Sequence, residues 1–453
     1  MSKIEICRSL LSDRRPEEAI PVLQYHLAEQ PGDKEAALLL AECLFQAGLV
    51  ADEERIFLHC VETDPSIQAL NGLGLALAAR NRPMEAEALY LACLEQDESL
   101  GIVWRNLASV HRFVQGDRLI QRMKKLVKSP RLTAPERRDI LYALAKAMED
   151  LGEWERAWDY AERGAAAHLD PFDPAIFERE LAEIRSVFDV DFMAKMRDAG
   201  DPTEAPVFIV GMPRSGTTLA EAVLARHPDV AALGELQSVP NTNRLAARVV
   251  EGAEGRHGWV RRAPVEAFAS LAETLLRNAH MRCGEDMPAR FTDKLPGNIV
   301  HLGLISCLFP NARIVRMHRD PLDNCVSCHL RRFSGGLTFT QRPDWLAAAY
   351  RFFQDAGDHY ASVIANPILD LHYEDLVADS EAETRRLLAF AGLDWDDACL
   401  SPEKGSHAVT SASSAEVRRA VSTGSIGRSR RYGDRVRPLA EALGYRLDRG
   451  EAA

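Results

Sequence analysis

The segment that most constrains this chain is Val207-Phe208-Ile209-Val210-Gly211-Met212-Pro213-Arg214-Ser215-Gly216-Thr217-Thr218-Leu219, an apolar run, a turn bounded by glycines, then a helical pattern through Arg226. Strand, loop and helix in that order make an anion cradle. Successive backbone N–H groups converge on the turn, the helix N-terminus adds partial positive charge, and glycine lets an anion approach closely. Farther on, the β-rich runs 313–317 and 368–371 alternate with helical stretches, which predicts an α/β domain with a parallel sheet flanked by helices.

The N-terminal part has another rhythm. From Ser2 to about Leu169 apolar residues return every three or four positions in a text rich in Ala, Leu and Glu, which predicts helix after helix. Pro31 and Pro65 stand 34 residues apart in similar settings, and Arg15-Pro16-Glu17-Glu18-Ala19 returns 67 residues later as Arg82-Pro83-Met84-Glu85-Ala86. A two-helix unit of this length cannot cover its own apolar face, so copies stack into a solenoid with a surface open to a partner. The segment resembles tetratricopeptide repeats (TPR), and Gly152, Trp154 and Ala157 match the family positions at which paired helices approach closely. The pattern breaks between about His111 and Arg131, leaving three plain repeats and one degenerate or displaced copy. A generic helical bundle is the alternative.

With 453 residues the chain is too long for one ordinary core. Its net charge of −12 argues against binding to a nucleic-acid backbone, which needs dense Lys and Arg, so any anion site must be local. No apolar run approaches the roughly 20 residues of a membrane span, and Met1 to Ile6 show no signal-peptide pattern, so a cytoplasmic protein is expected. Nine cysteines without regular spacing fit reduced, buried thiols.

Against the nucleoside-triphosphate loop G-x-x-x-x-G-K-[ST], Gly211, Gly216 and Thr218 fit, but Thr217 stands where Lys is demanded. The run Pro213 to Thr218 instead resembles the 5′-phosphosulfate loop of sulfotransferases that use 3′-phosphoadenosine 5′-phosphosulfate (PAPS), related to the tyrosylprotein sulfotransferases. The resemblance implies donor contacts from Arg214, Ser215, Gly216, Thr217 and Thr218. A second strand–turn–helix, Ala312 to Cys328 with Pro321 opening the helix, resembles the family's 3′-phosphate site, with Arg319, Ser327 eight residues on and Arg331 twelve on. Cys325 and Cys328 within it have a rival reading as a redox pair.

The same resemblance implies a catalytic base at Glu235, after the His227-Pro228 turn, with His227 as runner-up. It makes Lys294, in Thr292-Asp293-Lys294-Leu295-Pro296, the donor of positive charge to the leaving group, assisted by Arg214. Tyr373, in Tyr-Glu-Asp-Leu, corresponds to a residue that reaches the nucleotide. The Ser-, Gly- and Arg-rich stretch from Ser411 to Tyr432 resembles a loop closing over PAPS, with Ser414 and Arg428 as contacts and Arg430 or Arg431 as alternatives. Residues 237–289 match nothing in the family, and Glu235 lacks the acidic neighbour of the tyrosylprotein enzymes.

These features together predict a TPR-like helical domain over 1–169, a helical linker over 170–205 and a P-loop-like sulfotransferase domain over 206–453. The expected reaction passes a sulfuryl group from PAPS to an acceptor hydroxyl on a peptide, protein, carbohydrate or small molecule. The product is 3′-phosphoadenosine 5′-phosphate (PAP), no metal is implied, and the repeats offer a surface for acceptor or protein partner. A nucleotide-binding scaffold without activity and a P-loop kinase are the alternatives.

Overall fold

A computed structural model describes residues 2–13, 15–283, 288–333, 337–405, 418 and 421–445. The chain divides into two compact units, the first comprising Met1–Asp170 and taking in Leu330–Ser334.

Among the described residues, Met1–Asp170 of the first unit forms ten helices in succession: α1 (Lys3–Ser12), α2 (Pro16–Glu29), α3 (Lys34–Gln46), α4 (Val50–Thr63), α5 (Ile67–Ala79), α6 (Pro83–Gln96), α7 (Gly101–Val110), α8 (Arg118–Leu126), α9 (Ala134–Asp150) and α10 (Trp154–Ala167). The repeating text has a local cause. Pro16 and Pro83 open α2 and α6 at the first turn, where a missing N–H costs nothing, and Asp33 and Ser66 cap α3 and α5 by accepting from Ala36 and Ala69 N–H. Small and branched residues such as Ala19, Leu23, Ala36, Leu40 and Cys43 interdigitate where the first helices meet.

Among the described residues α1 and α2, α3 and α4, and α5 and α6 pack as successive pairs, and α9 packs on both α7 and α10. The disturbed text, between about His111 and Arg131, is α8, which is short and packs on α9. Gly152 is also there for a different reason than close packing. Its φ is +73° and a Cβ would meet nothing within 4 Å, so it turns the chain after α9. Ala157 is the fully buried member of that trio.

In the second unit, α11 (Ala175–Val187) and α12 (Val190–Lys195) precede a sheet of five parallel strands: β1 (Pro206–Gly211), β2 (Val230–Ala232), β3 (Arg290–Asp293), β4 (Arg313–His318) and β5 (Ile368–His372), in spatial order β2-β3-β1-β4-β5. Every residue of β1 is buried, as expected of a central parallel strand covered on both faces. The helices are α13 (Thr217–Leu224), α14 (Ser238–Val249), α15 (Glu266–Cys283), α16 (Leu302–Leu308), α17 (Pro321–His329), α18 (Pro343–Val363), α19 (Tyr373–Ala378), α20 (Ser380–Ala391) and α21 (Arg437–Leu443). The predicted linker region is thus helical, and α11 and α12 pack on α18 within this unit. Phe208 lies beside Asp293 of β3, and Gly211 beside Met317 of β4, so the carboxyl ends of these three strands open at one edge. In open α/β sheets that edge is where ligands bind.

Candidate active site

The loop after β1 is shaped by its backbone. Gly216 has φ +105° and a Cβ there would sit 2.7 Å from Tyr373 Cδ2, so only glycine fits between the helix start and the ring. Arg214 also has positive φ, +69°, an uncommon state for a residue with a side chain. That conformation comes with two long-range bonds. Arg214 Nε donates to Ser327 Oγ at 3.0 Å, and Arg214 O accepts from Arg319 Nη1 at 3.0 Å. Helix α17 is further tied to the loop by Asn324 Nδ2 and Cys328 Sγ, which donate to Pro213 O at 2.8 and 3.1 Å.

Arg214, Ser327 and Arg319 therefore form one buried cluster. The Arg319 guanidinium stacks 4.5 Å over the Tyr373 ring, and its Nη2 donates to Ser425 O at 3.0 Å. Burial lowers the Arg319 pKa, and the nearby charges of Arg214 and Arg428 push the same way. Ser215 Oγ and Arg319 Nε are buried without a hydrogen-bond partner. A buried polar group without a partner costs free energy, so a donor hydroxyl and a guanidinium N–H left over beside three arginines suit a bound anion. Thr217 and Thr218, at the start of α13, are buried as well.

A second cluster lies where β3 ends. Lys294 Nζ is 2.9 Å from Glu235 Oε1 and 3.9 Å from Glu221 Oε2. The Lys294 side chain is 2% exposed, whereas Glu235 is 35% exposed, so the pair presents its carboxylate outward. Burial alone would lower the Lys294 pKa, but Glu235 and Glu221 outweigh it and hold the ammonium above its ordinary value. Asp293 is pushed well above the usual carboxylate range by burial and by Glu221, and Asn298 Nδ2 donates to its Oδ2 at 3.2 Å.

The remaining expected residues have contacts of their own. Arg331 Nη1 is 2.5 Å from Glu149 Oε2, inside the first compact unit. His227 is tied up by the fold, with Nε2 facing Asp394 O at 3.1 Å and Nδ1 accepting from Asp229 N–H, so its ring fixes the turn after α13. Cys325 and Cys328 are both buried, and burial pushes the Cys328 thiol up to about 12, so the helix uses them for packing and for the bond to Pro213. Arg428 opens a 3-10 segment, Arg428–Val436, that is anchored by Ser429 N–H donating to Asp323 Oδ1 at 2.8 Å, and Arg431 donates to Gly424 O. Ser414 lies outside the described residues.

Sequence reasoning missed Glu221, Asp293, Asp323 and Asn324. A signal existed for Glu221, an ionisable residue alone in the small, apolar run Leu219-Ala-Glu-Ala-Val-Leu-Ala225.

Comparison with known proteins agrees with this architecture. Residues 206–397 match the Sulfotransferase family, and residues 10–58 match the Tetratricopeptide repeat. Protein-tyrosine sulfotransferase 1 of Danio rerio is 31% identical over 203 residues, 44% of this chain and 56% of the relative. Protein-tyrosine sulfotransferase A of Caenorhabditis elegans is 28% identical over 249 residues, 54% of this chain and 62% of the relative. An uncharacterized protein of Aquifex aeolicus (strain VF5) is 28% identical over 341 residues, 72% of this chain and 44% of its own length. The chain thus spans about half the length of the curated relatives it matches. Among solved structures, the sulfotransferase domain of the Synechococcus PCC 7002 olefin synthase superposes with a TM-score of 0.32 at 21% identity, covering 55% of this chain and 97% of that one, a score too low to add to the assignment. The sequence matches thus make residues 206–397 similar to the Sulfotransferase family and residues 10–58 similar to the Tetratricopeptide repeat.

Proposed function

We propose that the second unit is a sulfotransferase that takes its sulfuryl group from PAPS and passes it to an acceptor hydroxyl. The observation that carries this reading is the buried cluster of Arg214, Ser327 and Arg319, with Ser215 Oγ and Arg319 Nε left without partners at the carboxyl edge of the sheet. The residues present fit the donor. Ser215, Gly216, Thr217 and Thr218 would hold the 5′ side, Arg319 and Ser327 the 3′-phosphate, and Tyr373 and Arg428 the nucleotide around it. Arg214 bridges the two sides, because its backbone forms the loop while its side chain reaches Ser327.

When bound, PAPS supplies an activated sulfuryl group whose leaving oxygen belongs to the 5′-phosphate. Glu235 takes the proton of the acceptor hydroxyl as that oxygen bonds to sulfur. The bond from sulfur to the phosphate oxygen breaks, its electron pair stays with departing PAP, and Lys294 and Arg214 balance the charge that gathers there. Base and cation lie at the same end of β3, 2.9 Å apart, with the carboxylate 35% exposed toward an incoming acceptor. The names of the Danio and Caenorhabditis relatives favour a protein acceptor, and the helical repeats offer the surface that would recruit it.

The test is direct. PAP should raise the melting temperature without Mg²⁺ while ATP with Mg²⁺ does not, and sulfur-35 should pass from labelled PAPS into an acceptor in a host extract. Stabilisation by ATP and Mg²⁺ alone would favour a kinase, and PAP binding without transfer would favour an inactive scaffold.

A further inference from the structure

We infer that Glu221 is a positioning residue of the active site, a buried carboxylate on α13 that holds Lys294 and the Gly234–Glu235 turn in register with each other and with the anion loop. The inference rests on the sulfotransferase reading and deepens it.

Three elements meet at this one side chain. Glu221 Oε1 accepts from Gly234 N–H at 3.0 Å and from Thr292 Oγ1 at 2.9 Å, and Oε2 lies 3.9 Å from Lys294 Nζ. Gly234 precedes Glu235, Thr292 and Lys294 flank the end of β3, and Glu221 itself stands on the helix whose first residues are Thr217 and Thr218. The backbone closes the same ring, since Lys294 N–H donates to Gly234 O at 2.9 Å.

A carboxylate buried in the middle of an apolar helix is costly unless its charge and lone pairs are used. Here both oxygens are engaged, one by two hydrogen bonds and one by the ammonium. Burial raises the Glu221 pKa, and Lys294, the Thr292 hydroxyl and the Gly234 N–H act against it. The groups facing Lys294 are Glu235 from the turn after β2, Glu221 from α13 and Asp293 from β3. Glu221 keeps Lys294 charged and fixes where Glu235 stands, without itself reaching the exposed face.

The variant Glu221→Gln keeps the shape and an oxygen for Gly234 and Thr292 but removes the charge beside Lys294. PAP binding by calorimetry, and the pH dependence of sulfur-35 transfer from PAPS, would be measured on the full chain. We expect PAP affinity to stay near wild type, kcat to fall by roughly 10- to 100-fold with KM for PAPS unchanged, and the alkaline limb to move to lower pH. That direction follows because Lys294 loses one of the carboxylates that raise its pKa. A wild-type kcat, or a lower kcat with an unmoved alkaline limb, overturns the inference, the second result leaving Glu221 a packing role only. If Glu221→Gln does not fold, Thr292→Val removes one anchor of the carboxylate, and kcat should fall while PAP binding persists; an unchanged kcat overturns the inference. A wild-type chain that neither binds PAP nor transfers sulfur overturns the donor assignment itself, whereas an active wild type with an indifferent Glu221→Gln overturns this inference alone.

Discussion

Arg214 Nε donates to Ser327 Oγ across 3.0 Å, although 113 residues separate the two in sequence. The bond ties the loop after β1 to the helix after β4, and it accompanies a left-handed backbone at Arg214 that costs roughly 1–2 kcal/mol for a residue with a Cβ. Such a conformation persists where surrounding contacts fix it, here the Ser327 bond and the Arg319 bond to Arg214 O.

The two side chains should therefore act as a unit on the nucleotide. Arg214→Ala is expected to raise the PAP Kd by roughly 10- to 100-fold and Ser327→Ala by about 10-fold or less, from the usual worth of charged and neutral hydrogen bonds. The double variant should lose less than the product of the single losses, because both singles break the same bond. Titration calorimetry on the four proteins reads the coupling, and strictly multiplicative losses would deny it.

Glu235→Gln separates binding from chemistry. The variant keeps the contact with Lys294 through its amide oxygen and should bind PAP like wild type. Transfer should fall by about 10²- to 10⁴-fold, the usual range for loss of a positioned base. A fully active variant would remove Glu235 from that role.

Gly216→Ala is a steric test of the loop. A Cβ would lie 2.7 Å from Tyr373 Cδ2 and 3.2 Å from Met317 Cε, at a φ of +105° that strains any other residue. Displacing Tyr373 also disturbs Arg319, which stacks on it. We expect a melting temperature lower by roughly 5 °C and a PAP Kd higher by at least about tenfold. Retained affinity in a folded variant would show that the ring can move aside freely.

Two buried histidines predict acid sensitivity. The His257 and His301 rings lie 5.5 Å apart, and the backbone N–H of His257 donates to Glu183. Burial, with Arg256 acting in the same direction, holds His257 down to about 3, and burial and His257 hold His301 well below its ordinary value. A histidine whose folded pKa lies below its unfolded value of about 6.5 contributes stability that is present above 6.5 and is lost as pH falls toward the folded value. Each ring should cost about 1.4 kcal/mol per pH unit below that point. Urea unfolding at pH 7.5, 6.0 and 5.0 should show the decline, and His257→Phe should flatten it; an unaltered slope in that variant would mean His257 does not titrate on unfolding.

Much of this was legible in the sequence because it is local. The all-helical first unit follows from periodic apolar residues, and the strands β1, β4 and β5 follow from the β-rich runs near Val207, Ile314 and Leu369. The loop from Gly211 to Thr218 is readable because glycine and hydroxyl residues at fixed offsets are a backbone requirement. Strands β2 and β3 escaped, since Val230–Ala232 and Arg290–Asp293 are short and carry no alternating pattern, and parallel pairing to their neighbours gives them their form.

The sequence by itself thus determined the two fold types, the anion loop and the residue types available to it. Only the tertiary structure decided which of those residues meet. Arg214 joins Ser327, Arg331 pairs with Glu149, His227 is held by the Asp394 carbonyl, and Glu221 meets Lys294 from an otherwise apolar stretch of helix. The physical reason is that a buried charge is stable only where distant elements bring it a partner, and partners separated by tens of residues leave no periodic trace in the chain.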